Sequence, residues 1–252
     1  MPDPFISILV LVHNAPRYTE RAIRSVKHAT SVPHELVVLD NASEEPTRAL
    51  LRSLRDEGLI DVLVELDFNS LFAEGNNRAA AAASPRATHY LLLNSDVEVR
   101  STDWIENLLQ VHRRGATAYG IATDPLRVDG YCLLIDADLY RKYPLDESHQ
   151  WFWAVTKTQA ALLAEGHAVQ GFAQHRRYLH HYGGKSGSAF ADARGMDVTR
   201  DEVESWFQGR EPYLIDRRPD GSIPGHGHRL MGFRRRTKQF LGMLRPSSRN
   251  AS

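Results

Sequence analysis

Residues 5–12 (FISILVLV) form a continuous apolar run rich in β-branched side chains, the pattern of a strand buried on both faces of a parallel sheet. The run stops at His13-Asn14. Asn14 can cap a following helix that has Pro16 in its first turn and Tyr18, Ala22, Ile23 and Val26 at helical spacing. Residues 35–39 (ELVVL) predict a second buried strand ending at Asp40, followed by a turn and a helix through Leu50, Leu51 and Leu54. A third strand is expected over 60–66, an alanine-rich helix over 75–83, and a fourth strand over 90–93, ending at Asn94-Ser95-Asp96.

Strand and helix alternate throughout this half, so the economical fold is α/β: a Rossmann-like, mostly parallel sheet with flanking helices. Asn14, Asp40 and Asp96 each fall just past the carboxyl end of a predicted strand, the edge along which open α/β sheets bind ligands. One such residue is an ordinary loop or cap residue. Three at three strand ends argue for one shared site.

Beyond Asp96 the pattern loosens. A helix is expected over 103–113, short strands near 118–123 and 131–135, and a helix over 151–164 closed by Gly166. A glycine-broken loop then covers 180–186, a helix 199–207, and a Pro/Gly-rich loop 212–227. This divides the chain into a regularly alternating α/β half (1–125), a smaller, looser part of the same domain (126–190) and a C-terminal extension (191–252).

Composition changes this picture little. Lys plus Arg and Asp plus Glu number 31 each, so no electrostatic footprint argues for nucleic acid. The charge is unevenly placed: from Arg229 onward six further basic residues and no acid are interleaved with apolar ones, which reads either as a solvated terminus or as a basic amphipathic tail suited to an anionic lipid surface. A single cysteine, Cys132, excludes an internal disulfide and a cysteine zinc site. With no signal-peptide pattern at the first residues and no apolar run near the roughly 20 residues of a membrane span, a cytoplasmic protein is expected; the amphipathic reading of the tail would add peripheral contact at the inner membrane face.

Four segments, in order, resemble the GT-A family two glycosyltransferases, in particular their rhamnosyltransferase-like branch. They are 7–14 (SILVLVHN), 36–43 (LVVLDNAS), 72–77 (FAEGNN) and 91–96 (LLLNSD). The resemblance implies a sugar-nucleotide site with Val12 and Asn14 beside the nucleotide, Asp40 on the nucleoside, and Gly75, Asn76, Asn77, Asn94 and Ser95 along it. It implies Mn2+ or Mg2+ on Asp96, a UDP, dTDP or GDP donor, and inversion at the anomeric carbon. A later segment, 181–186 (HYGGKS), resembles the loop whose histidine completes the metal and diphosphate site, which points to His181, or to His180 if the register shifts by one.

Two positions depart from the family pattern. Asn94 replaces the first acid of the Asp-x-Asp motif. More seriously, counting from Asp146-Glu147 to Gly166 puts Ala154-Val155 where the family carries an acidic pair with the catalytic base. A hydroxyl acceptor needs a base within hydrogen-bond reach. Glu147, Asp146 and His149 are nearest in sequence; each also reads as an ordinary surface group. An amine acceptor, or a binding protein that partners an active transferase, accounts for the same loss. A nicotinamide oxidoreductase is disfavoured, because the first strand is followed by His13-Asn14-Ala15-Pro16 rather than Gly-x-Gly-x-x-Gly.

Overall fold

The computed structural model describes residues 3–173, 175–185 and 193–215. The N-terminal half runs β1 (Ile6–Val12), α1 (Pro16–Ala29), β2 (His34–Asn41), α2 (Glu45–Asp56), β3 (Val62–Leu66), α3 (Leu71–Ala82) and β4 (His89–Asn94). It continues with β5 (Val97–Val99), α4 (Trp104–Val111), β6 (Gly115–Tyr119), β7 (Ile121–Thr123), β8 (Leu126–Val128) and β9 (Cys132–Asp136). The remainder is α5 (Ala137–Lys142), α6 (Trp151–Ala164), β10 (Ala168–Phe172), β11 (Leu179–His181), α7 (Arg200–Phe207) and β12 (Tyr213–Ile215).

Eight strands form one sheet in the order β12-β10-β6-β9-β4-β1-β2-β3. All run parallel except β9, which pairs antiparallel with both β4 and β6. The expected mostly parallel α/β sheet with flanking helices is the fold observed. Alternation along β1 divides the core: Ile6, Ile8, Val10 and Val12 pack with α1, α2 and α4 side chains, and Leu9 packs on the other face with α3, α5 and α6.

The structure corrects several local expectations. Asn14 does not cap α1. Ala15 stands at that position in the left-handed region, and the Asn14 carboxamide instead accepts from the Glu44 amide at 2.8 Å. α3 starts a turn before the alanine run, because Asn41 Oδ1 accepts from both the amide and the hydroxyl of Ser70 at 2.7 Å and fixes the entry to the helix. Its Gly75 has a reason of its own: a Cβ there would stand 2.6 Å from Leu11 Cδ1, so the residue lets α3 lie close on β1.

β10 and β5 were not foreseen, and residues 180–181 and 213–215, expected as loop, lie in strands; β12 extends the large sheet at its β10 edge. At β5, β11 and β12 the pattern signal fails because three-residue strands carry too few side chains to show a period. The basic residues from Arg229 onward lie outside the described residues. Among the described residues no helix is long and apolar enough to cross a membrane.

One buried side chain ties the two halves together across the cleft. Gln150, 2% exposed, accepts with Oε1 from the amides of Phe72 (3.0 Å) and Ala73 (3.1 Å) in the first turn of α3, and donates to the Glu147 carbonyl. Gln150→Leu leaves two buried donors unpaired and is expected to cost about 2–4 kcal/mol, read as a lower midpoint in urea denaturation. An unchanged midpoint would show that water replaces the amide.

Candidate functional site

The carboxyl ends of β1, β2 and β4 open into a cleft bordered by His13, Asn41, Asn69, Asn76, Asn94 and Ser95, with Trp151 at the start of α6 closing one side. His13 is fixed by a 2.8 Å contact between Nδ1 and the Asn41 carbonyl. Asn41 in turn donates to Asn69 Oδ1 at 2.9 Å, so the cleft wall is an amide network rather than a charged surface. His13 and Asn41 fall inside two of the segments that carry the family resemblance but had no role of their own assigned; Asn69 lies in none of them, and its only signal is its place after a predicted strand.

Sequence-derived candidates divide among four environments. Asn76 (2% exposed), Asn94 and Ser95 line the cleft, and Asn76 also donates to the Phe72 carbonyl within its own helix. Val12 is fully buried in the core, so only its backbone faces the strand end. Asp40 is fully buried too. Its carboxylate accepts from the Ser43 amide (3.2 Å) and from Arg48 Nε (3.2 Å), which turns it toward α2.

Asn14 braces the same turn, donating its amide to Ser43 Oγ at 2.8 Å. Asn77 lies outside the cleft. Its carboxamide accepts from the Tyr140 hydroxyl and the Leu145 amide and donates to the Leu145 carbonyl and to Glu147 Oε1 at 3.0 Å. It fastens the 145–147 segment to α3, and Glu147 is held in that fastening.

Asp146 is equally engaged, paired with Lys157 and accepting from the Ser148 amide and hydroxyl. Burial pushes its carboxyl up, but Lys157 and Ser148 outweigh this and hold it well below the usual carboxylate range. A carboxylate so stabilised is a weak proton acceptor.

Asp96 and His181 come together although 85 residues apart. The two-stranded ladder of β5 and β11 places His181 opposite Val97, next to Asp96, and brings its Nε2 to 3.2 Å from Asp96 Oδ1. Oδ2 accepts from the Lys185 amide at 3.1 Å. Oδ1 is buried without an aligned hydrogen bond, a costly state for a carboxylate oxygen unless a cation or donor completes it. Burial raises the Asp96 carboxyl; His181 and the Lys185 amide more than offset it, so the group stays ionised below its ordinary range. Tyr131 stacks on the His181 ring with centroids 4.4 Å apart and sets its plane. A carboxylate oxygen and an imidazole nitrogen this close fit a divalent cation that takes its remaining ligands from diphosphate and water. His180, the alternative, sits opposite Glu98 with its ring against Tyr182.

Ala154 and Val155 are 0% and 1% exposed, so the positions of the missing acidic pair are part of the core. Val155 is seated directly on Gly130, where a Cβ would meet Val155 Cγ2 at 2.6 Å. The neighbouring Asp129 was missed by sequence reasoning, since a lone acid after a short strand has no signature. Burial raises the Asp129 carboxyl above its ordinary value, and Arg127, His181 and His175 offset this only in part.

The sheet order, with its single antiparallel strand and a carboxylate-histidine pair at the carboxyl edge, is the GT-A fold of glycosyltransferases. Residues 7–127, slightly less than half of the chain, match the family model "Glycosyl transferase family 2". Among solved structures, mannosyltransferase PcManGT from Pyrobaculum calidifontis, in complex with GDP-Man and Mn2+, is similar with a TM-score of 0.57 at 17% identity. The match covers 66% of this chain and 53% of that one. TarS from S. aureus is similar with a TM-score of 0.50 at 14% identity, over 62% of this chain and 33% of that one. The chain thus matches about half the length of the first and a third of the second. No curated protein matches the chain.

Proposed function

We propose that the chain is a glycosyltransferase that moves a hexosyl or deoxyhexosyl group from a nucleoside-diphosphate sugar to an acceptor, with inversion and with Mn2+ or Mg2+ held by Asp96 and His181. The observation that carries this reading is the buried Asp96 Oδ1 without an aligned hydrogen bond, 3.2 Å from His181 Nε2, at the carboxyl edge where the amide-lined cleft opens. The family match and the fold support it, and the ligands in the PcManGT structure are of the expected chemistry.

In this reading the nucleoside lies against His13, Asn41 and Asn76, and Asp40 acts through the Arg48 contact that shapes the turn beside them. A bound divalent cation supplies charge neutralisation for the departing diphosphate. Asp129 takes the proton of the acceptor hydroxyl as its oxygen bonds to the anomeric carbon on the face opposite the leaving group. A carboxyl raised by burial accepts a proton better than one held by a salt bridge, which favours Asp129 over Asp146, while Glu147 is committed to Asn77.

Calorimetric titration with UDP, dTDP and GDP, each with and without Mn2+, tests the donor site. Tight binding of one nucleotide only with metal is expected; no binding of any nucleotide sinks the proposal. The buried Ala154 and Val155 also favour a second reading, a nucleotide-sugar binding partner of another transferase. Metal-dependent donor binding with no donor consumption across sugar, lipid and amine acceptors would establish it instead.

A further inference from the structure

The sheet edge opposite the cleft carries a second constellation that the transfer reaction leaves unused. His89 opens β4 and Asp136 closes β9, directly opposite each other in the antiparallel register. His112 terminates α4. Its Nε2 lies 3.2 Å from Asp136 Oδ2, and His89 Nε2 lies 3.9 Å from Asp136 Oδ1. One ligand atom from each residue falls within 4.8 Å of the other two. The side chains are 15% (His89), 8% (His112) and 15% (Asp136) exposed, so the group is sheltered yet reachable. At a strand rise of about 3.3 Å per residue it stands roughly 20 Å from Asp96 along β4.

Hydrogen bonds on the far side of each ring decide which nitrogen is left over. Thr88 Oγ1 donates its one proton to the Phe5 carbonyl at 3.0 Å, so its 2.9 Å contact with His89 Nδ1 is satisfied when the ring N–H donates. A neutral His89 then turns an Nε2 lone pair toward a carboxylate oxygen, two electron-rich atoms with no proton between them. Thr117 Oγ1 contacts His112 Nδ1 at 2.9 Å and accepts from Gln170, which leaves its own proton for that ring; His112 Nε2 then hydrogen-bonds Asp136 Oδ2 at 3.2 Å, a proton that an arriving cation would displace. Metal-bound histidines carry such a hydrogen bond on the second nitrogen as a rule. On the carboxylate, the Gly115 amide donates to Oδ2 at 2.6 Å, and Arg114, whose side chain is 56% exposed, is drawn mainly to Asp138.

We propose that His89, His112 and Asp136 form a binding site for a borderline divalent cation, Zn2+ foremost, that clamps the start of β4, the end of β9 and the end of α4 together. Two imidazoles and one carboxylate suit Zn2+, with water in the fourth position, whereas Mg2+ and Mn2+ favour the oxygen-rich donor site. The inference stands apart from the transferase reading, since it uses none of the cleft residues.

The test titrates ZnCl2 alone, without nucleotide, into the full chain and into its Asp96→Asn variant. One Zn2+ per chain is expected in both, with affinity at least tenfold weaker in His89→Gln and the zinc-induced rise in Tm lost with it. Co2+ in place of zinc should give visible d–d absorption that His89→Gln abolishes. If His112→Gln or Asp136→Asn fails to fold, folded His89→Gln still decides the matter. Zinc binding unchanged in folded His89→Gln, or no uptake by folded wild-type chain, overturns the proposal.

Discussion

Asp96→Asn is expected to abolish metal-dependent nucleotide binding and to lower transfer by roughly a hundredfold or more, the scale of losing a preorganised charge on a departing diphosphate. The substitution is nearly isosteric and keeps an acceptor for the Lys185 amide, so the fold should survive. Asparagine has no charge to hold the cation, and Asn94 already stands at the first acid of the usual motif, so the motif has no second carboxylate to compensate. His181→Ala should weaken metal dependence less, since the carboxylate remains. Calorimetry with the preferred nucleotide, titrated with and without Mn2+, reads both variants. Asp96→Asn protein that keeps full metal-dependent affinity would place the cation elsewhere.

Asp129→Asn is expected to lower kcat by about 10²–10⁴-fold while leaving nucleotide affinity unchanged, the signature of losing a base rather than a binding group. The same variant should be more stable than the parent at neutral pH. The sign follows from the direction of the shift: burial raises the folded-state carboxyl above its unfolded value, so the folded chain binds the proton more tightly than the unfolded one. Stability of the parent therefore falls as pH climbs from the ordinary aspartate range through the raised folded value, and asparagine escapes that loss. The gain in Tm should vanish at pH values below the ordinary carboxylate range, where both states are protonated. Glu147→Gln and Asp146→Asn serve as comparisons. If either loses activity with nucleotide binding intact while Asp129→Asn retains it, the base is not Asp129.

Gain of stability with loss of turnover is what an ionised, half-buried catalytic acid produces. A non-catalytic Asp129 would show the same gain in stability with turnover unchanged, so the activity measurement separates the two roles.

Much of the N-terminal half was legible along the chain because its signals are local. A strand buried on both faces must be apolar at every position, as residues 5–12 and 35–39 are, and helices between parallel strands must repeat their apolar residues at helical spacing. Those rules set the α/β class, the strand ends and the shared edge at which Asp96 lies. Orientation of the side chains at those ends was another matter. Asp40 and Asn77 stand in matching motif segments, yet one is turned onto Arg48 and the other fastens the 145–147 segment, because partners 8 and 68 residues away compete for them.

Sequence alone therefore determined the α/β class, the first four strands and the helices between them, the apolar character of Ala154-Val155 and the place of Asp96 just past the end of β4. Tertiary structure decided which polar groups meet: His181 with Asp96 through a three-residue ladder, Gln150 with the first turn of α3, Asp129 beside the seat of Val155, and His89 with His112 and Asp136. The physical reason is range. Burial and periodicity are properties of neighbouring residues, whereas a hydrogen bond or a metal ligand set joins side chains that only the folded chain brings within a few ångströms.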